Sequence, residues 1–257
     1  MKILAISDFH GCMDVLEPLL GAVKEHKPDV ICFCGDVMKG YARGDEWLSA
    51  KSEGRKPVKD TEGIEKEFAD DEEFLRKFYG ELSSPGIPVL AIPGNMDAPK
   101  ERHSDIMRDL TDKHKTVHLI HGDSYKMGDY WFVGYGGEIS DEEDEDFFVQ
   151  ISSRSRVEKE LREELDNLQG KKIILLTHSP PLAGKVDFEK GRHKGSGFVA
   201  EIIKTYSPEL VLCGHAHTRG VKEEIGETVV VNTGALKYKS AALIELDGNI
   251  NVRFLEI

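Results

Sequence analysis

Five short apolar runs constrain this chain more than anything else in it. They are KILAIS (2–7), DVICFCGD (29–36), IPVLAIPGN (87–95), KKIILLTHS (171–179) and ELVLCGHAH (209–217). Each is apolar on both faces, which suits a strand covered by layers above and below. Between them lie helical patterns such as MDVLEPLLGAVKEHK (13–27). Strands alternating with helices predict a layered α/β domain. TVHLIHG and DYWFVGYGG read as antiparallel additions. TVVVNTG and SAALIELDGNINVRFLEI read as closing strands, with DGN as a turn.

Two stretches break the rhythm. Residues 39–84 are polar and charged, with a helical look from about Glu62 to Leu82. They read as a solvated surface insertion rather than a lid, within one domain spanning 1–257. EISDEEDED (138–146) reads as a solvated acidic loop, with a weak extra cation site as the lesser alternative.

Composition narrows the function classes. At 257 residues the chain can bury a substantial core, and its net charge of −13 repels nucleic-acid backbones and anionic membranes. The start, MKILAISDFHG, lacks the apolar core of a signal peptide, and no run is long enough to span a bilayer. Cys32, Cys34 and Cys213 fall in apolar runs, and Cys12 completes the set. Four such thiols read as small buried hydrophobes of a reducing cytoplasm.

The strand ends carry the chemistry. Within three residues the five runs finish on Asp8-x-His10, Gly35-Asp36, Gly94-Asn95, His178 and Gly214-His215-x-His217. Loops at the carboxyl ends of α/β strands converge on the ligand crevice, so these seven donors meet at one place. Imidazole with carboxylate suits Mn, Fe, Zn, Ni or Co, with Mn placed first here. A carboxylate can bridge two cations, and Asn95 adds a neutral oxygen. The i, i+2 pairs Asp8/His10 and His215/His217 lie on one side of an extended chain. One member of each pair can then address each of two metals about 3.5–4 Å apart. Glycine before Asp36, Asn95 and His215 lets the chain turn sharply. Any one of these residues alone would read as a turn former, a cap or a structural histidine. Their ordered recurrence lifts the reading.

Taken together, D-x-H, G-D, G-N, H and G-H-x-H in this order resemble the calcineurin-like metallophosphoesterase superfamily. SDFHG, PGNMD, THSPP and CGHAH resemble its Icc-related predicted phosphoesterase branch. The resemblance covers residues 8 to 217 and implies a four-layer α-β-β-α sandwich with two facing mixed β-sheets. It also implies Asp8, His10, Asp36 and His217 around a first metal. Asp36 would bridge to a second, completed by Asn95, His178 and His215.

The activity implied is hydrolysis of a small-molecule phosphate ester. A water shared by two divalent ions is acidified and attacks phosphorus in line. Two dications, two carboxylates and one hydroxide leave one positive charge, which suits a singly charged diester. One departure stands out. The family commonly carries histidine after G-N, and this chain has Met96, whose thioether donates no proton. The candidate catalytic residues are therefore Asp36, Asn95 and a compensating His193, with His121 as a second candidate. His193 lies beside Arg192, near a helix start capped by Ser196. His26, His103, His114 and His118 read as surface or strand residues, and Asn232 as structural. A catalytically silent scaffold of the same fold is the competing reading. A nuclease is disfavoured, since no basic groove is legible.

Overall fold

The structure, a computed structural model, describes residues 1–140 and 144–257. Its frame is two six-stranded mixed sheets. The first runs β17 (Ile250–Glu256), β16 (Ser240–Leu246), β1 (Lys2–Ile6), β2 (Val30–Phe33), β3 (Val89–Ala91), β4 (Val117–Leu119). The second runs β14 (Val221–Ile225), β15 (Thr228–Asn232), β13 (Leu210–Cys213), β10 (Lys172–Thr177), β6 (Tyr130–Tyr135), β5 (Asp123–Met127). Two small additions flank them. One holds β7 (Glu138–Ser140), β9 (Gln150–Ser153) and β8 (Glu145–Asp146), the other β11 (Phe188–Glu189) and β12 (Arg192–His193).

Three cores show why the predicted strands are apolar on both faces. Between the sheets, Ile3, Ala5, Cys32, Leu90, Ile174, Leu176, Leu212 and Ile244 pack together. Outside the first sheet lie α1 (Leu16–His26), α3 (Glu62–Ser83) and α4 (Lys100–Lys113), joined to Leu4, Ile6, Ile31 and Phe33. Outside the second lie α5 (Arg154–Asn167) and α6 (Gly197–Tyr206), joined to Val133, Leu175 and Val211. Helix, sheet, sheet, helix is the expected four-layer order. Cys32, Cys34 and Cys213 are buried free thiols in these cores, and Cys12 is half-buried.

The structure corrects the reading of two strands and of the insertion. β4 is not an antiparallel addition, since it pairs β3 in parallel, and β6 is antiparallel only to β5 on one side while pairing β10 in parallel on the other. Crossovers decide this, because α4 carries the chain from β3 back to the start of β4. The DGN turn does join antiparallel β16 and β17. Residues 39–84 fold as α2 (Tyr41–Glu53) and α3, and the second half of α3 is core rather than solvated surface. Leu75, Phe78, Tyr79 and Leu82 form a buried stripe at helical spacing, with Phe78 against Phe9 and Phe33 at 4.6 and 4.8 Å. α2 is locked to α3 by Arg43, wholly buried, whose guanidinium pairs with Asp71 at 2.8 Å and Glu67 at 3.0 Å.

Of the acidic loop, Asp141, Glu142 and Glu143 lie outside the described residues. Its neighbours are engaged: Asp146 accepts from Lys100 N at 2.7 Å and Asp144 from Ser153 N at 2.6 Å. Among the described residues, no helix is long and apolar enough to cross a membrane.

Candidate metal centre

The seven donors expected from the strand ends are brought together. Asp8 and His10 follow β1, Asp36 follows β2 and Asn95 follows β3, all from the first sheet. His178 follows β10, and His215 and His217 follow β13, from the second. They form two groups with one shared member. In the first, Asp8 Oδ1 lies 3.2 Å from His217 Nε2 and 3.8 Å from His10 Nε2. His10 Nε2 is 3.5 Å from Asp36 Oδ2 and 3.2 Å from His217 Nε2. One donor atom from each of these four residues falls within 4.8 Å of the others. In the second group, His178 Nε2 is 3.4 Å from Asp36 Oδ2 and 2.9 Å from Asn95 Oδ1. His215 Nδ1 is 3.2 Å from that same Asn95 oxygen. Asp36 belongs to both.

Outer contacts aim these atoms inward. His10 Nδ1 meets Met38 O at 3.1 Å and His178 Nδ1 meets Cys34 O at 2.7 Å. A ring nitrogen bonded to a carbonyl carries the proton, which leaves Nε2 as a lone pair facing the centre. Each carboxylate is held by one oxygen. Asp8 Oδ2 accepts from Ser7 Oγ and from His215 N at 3.2 Å, while Asp36 Oδ1 accepts from Met96 N at 2.7 Å. Their other oxygens point into the cluster, and Asp8 Oδ1 is buried with no hydrogen bond of its own. A buried, orphaned carboxylate oxygen facing imidazole lone pairs is a poor arrangement without a cation between them. The donor set therefore fits divalent metal ions.

Charge follows the same geometry. Burial opposes it, but the neighbouring imidazoles of His10, His217 and His178 hold Asp8 well below the usual carboxylate range. Burial likewise opposes the gain at His178, yet Asp36 beside it pushes that ring up to about 10. Burial, with the charge of His178, takes His215 down to about 3.

The backbone of the site is unusual. Asp8, His10, Asp36 and His215 all have positive φ, at 58, 47, 68 and 66°. Non-glycine residues rarely adopt this region, and it gathers at functional sites. The glycines serve a different purpose from the one expected. Gly35 does turn, at φ +95°, but Gly94 and Gly214 are there because loops pass too close for a side chain. A Cβ on Gly94 would strike Asp36, and one on Gly214 would strike Ser7.

Several positioning residues escaped the sequence reading. Asp97, wholly buried, accepts from Asp36 N at 2.9 Å, Val37 N at 2.8 Å, Met38 N at 3.0 Å and Gly94 N at 2.7 Å. It clamps the Asp36 loop to the Asn95 loop. A carboxylate in GNMD, two residues past a donor, was the available signal. Asn232 does more than fill space. Its Nδ2 donates to Val186 O, Gly214 O and Ala216 O at 2.8–3.1 Å, holding the His215–His217 loop. Glu189 accepts from His217 N at 3.4 Å and pairs with Lys194 at 2.7 Å.

Among the described residues, the hydrogen bonds and ion pairs of the two compensating histidines go to residues outside the donor cluster. His193 Nδ1 is held by buried Asp187 at 3.0 Å. β11 and β12 pair Phe188 with His193, and Glu189 with Arg192. Side chains alternate along strands, so His193 shares a face with exposed Phe188, opposite the Glu189 that reaches His217. Ser196 stands at the N-cap of α6 but its hydroxyl makes no capping bond. His121 accepts from Gly136 N at 2.9 Å, and burial takes its ring down to about 3. His103 is not a surface residue but is buried within α4, because that helix packs against the first sheet.

A four-layer sandwich that gathers Asp, His and Asn from five strand ends around a shared carboxylate has the form of a metal-dependent phosphoesterase. Residues 1–254 match the family described as metallophosphoesterase, calcineurin superfamily, and the chain belongs to it. The uncharacterized protein MJ1162 of Methanocaldococcus jannaschii is 27% identical over 249 residues, covering 93% of this chain and 90% of that protein. One crystal structure, 27% identical, superposes with a TM-score of 0.88 and covers 99% of this chain and 98% of its own. The crystal structure of TT1561 of Thermus thermophilus shares the fold. It has a TM-score of 0.76 at 24% identity, over 98% of this chain and 97% of that one.

Proposed function

We propose that this protein is a two-metal phosphodiesterase. Asp8, His10, Asp36 and His217 would hold one divalent ion, and Asp36, Asn95, His178 and His215 the other. The carrying observation is that Asp36 Oδ2 stands 3.5 Å from His10 Nε2 and 3.4 Å from His178 Nε2, so one carboxylate serves both groups. Two bound dications would acidify a water between them and take up charge on the phosphoryl oxygens.

The chain's own residues do the rest. Asp8 and Asp36 set the charge of the centre, and Asn95 adds an oxygen without adding charge. Met96 stands where the superfamily commonly has histidine, and its main-chain N–H orients Asp36 instead. With no proton donor there, leaving-group departure is unassisted at that position, which favours esters whose leaving groups are good. The charge balance of the site favours a diester monoanion over a monoester dianion. Manganese is the proposed native ion, and the four free thiols support a reducing, cytoplasmic setting.

The test is hydrolysis of bis(p-nitrophenyl) phosphate against p-nitrophenyl phosphate, with Mn added and then removed by EDTA. We expect Mn-dependent turnover, greater on the diester. Uptake of two cations with no turnover on either ester would favour the scaffold reading, and turnover surviving EDTA would overturn the metal-dependent one.

A further inference from the structure

Lys237 brings an ammonium group to the donor cluster. Its Nζ stands 3.5 Å from His217 Nε2, the nitrogen that also faces Asp8 Oδ1 at 3.2 Å. The residue sits in a short 3-10 turn, Leu236–Tyr238, sewn to the end of β1. Leu236 N donates to Ser7 O at 2.7 Å, Lys237 N donates to Asp8 O at 3.1 Å, and the Leu236 side chain is wholly buried. The backbone therefore fixes where the lysine stem starts, and the stem reaches in from a half-buried rim beside exposed Tyr238.

Apart from the Tyr238 ring, whose centroid lies 5.4 Å from Nζ, no carboxylate among the described residues forms an ion pair with this charge. Of the carboxylates near it, Asp8 and Asp36 face the histidines, and Glu189 is engaged by Lys194 at 2.7 Å and Lys190 at 3.6 Å. The Lys237 ammonium faces a ring nitrogen instead, and a cation bound between Asp8 and His217 would claim that lone pair. The ammonium protons would then be free, and repulsion would turn them outward, towards whatever lies over the metal pair. A lysine ammonium is a strongly hydrated point charge that suits phosphoryl oxygens.

We propose that Lys237 is a substrate-positioning residue. It holds a non-ester oxygen of the phosphoryl group over the Asp8–His10–Asp36–His217 side of the centre. This rests on the metallophosphoesterase reading above.

The test uses the whole Mn-loaded chain, with inorganic phosphate as the probe, in wild type, Lys237→Met and Lys237→Arg. Calorimetry reads cation stoichiometry and phosphate affinity, and turnover of bis(p-nitrophenyl) phosphate separates KM from kcat. K237M should keep its cations and its melting temperature, because the bonds that fix the turn, to Ser7 O and Asp8 O, are made by main-chain N–H groups and the ring contact to Tyr238 lies at the exposed rim. Phosphate affinity should fall about 10-fold or more, the usual scale for losing a charge-assisted hydrogen bond, with a matching rise in KM. K237R should recover most of both. Phosphate binding at wild-type strength in cation-loaded K237M overturns the assignment, and so does an equal loss in K237R. Should wild type itself take up no cations, the metal centre fails first and Lys237 falls with it, a distinguishable outcome.

Discussion

Asp8, His10, Asp36 and His215 hold left-handed backbone conformations that cost of order 1–3 kcal/mol each. Something must over-determine them, and Asp97 is the clearest example. Its two oxygens accept four main-chain N–H groups from the two loops that carry Asp36 and Asn95. Asp97→Ala would leave those buried donors without an acceptor. We expect a loss of roughly 3–5 kcal/mol in chemical denaturation, because an unsatisfied buried donor costs about 1–3 kcal/mol and partial relaxation absorbs some of the sum. Asn232 acts on the opposite loop. Asn232→Ala should weaken Mn affinity about 10–100-fold, the usual effect of losing a residue that orients a ligand, read by calorimetry. At this scale the sequence showed the donors but not their supports. Motif spacing reports which side chains can meet a metal. It does not report which buried carboxylate will be spent on backbone N–H groups, because those come from residues 36–38 and 94, distant in the chain from one another.

Elements place these residues, and two of them read differently in sequence and in structure. Segment 62–83 looks solvated because charged residues surround its apolar stripe, yet Phe78 is wholly buried against Phe9 and Phe33. Phe78→Ala should therefore cost about 3–5 kcal/mol of stability. Leu48→Ala, on the exposed side of α2, should stay within about 0.5 kcal/mol. Equal, small effects would return the segment to the surface. The hairpin of β11 and β12 is the second case. Its histidine was legible as chemistry-competent, but the two-residue alternation of the pair turns it to the face of Phe188.

Across the loops of the two sheets, charge couples to pH. His178 is raised from the ordinary histidine value to about 10 by Asp36, against burial. In cation-free protein this group stabilises the fold fully below about pH 6.5 and loses that contribution as pH rises towards 10. Cation binding runs the other way, since the ring must lose its proton to ligate. Mn affinity should rise with pH across the same window, with proton release on binding. Calorimetry in buffers of different ionisation enthalpy measures that release, and none at pH 7 would argue against His178 as a ligand.

For the whole molecule, the donor cluster joins the two sheets, and a metal pair held there would tie them together. First-sheet and second-sheet donors meet at Asp36, so cations that bind only the folded chain should stabilise all of it. Free Mn at 100 times its dissociation constant should add about 2.7 kcal/mol per site. Scanning calorimetry with Mn and then EDTA should show one transition that moves down on chelation. Two transitions, with only one of them sensitive, would divide the chain into separate units.

What the sequence determined by itself was the set of covered strands and the donors at their ends. Both are local properties, carried by apolar runs a few residues long and by side chains one or two positions beyond them. Tertiary structure decided whatever depends on which segments become neighbours. That includes the parallel pairing of β4 with β3 and of β6 with β10, the burial of α3 and the Asp97 clamp. It also includes the approach of Lys237 to His217 across 20 residues of chain. The physical reason is that a hydrogen bond or a packed ring needs both partners in place. One chain position can advertise its own chemistry, but the fold supplies the other partner.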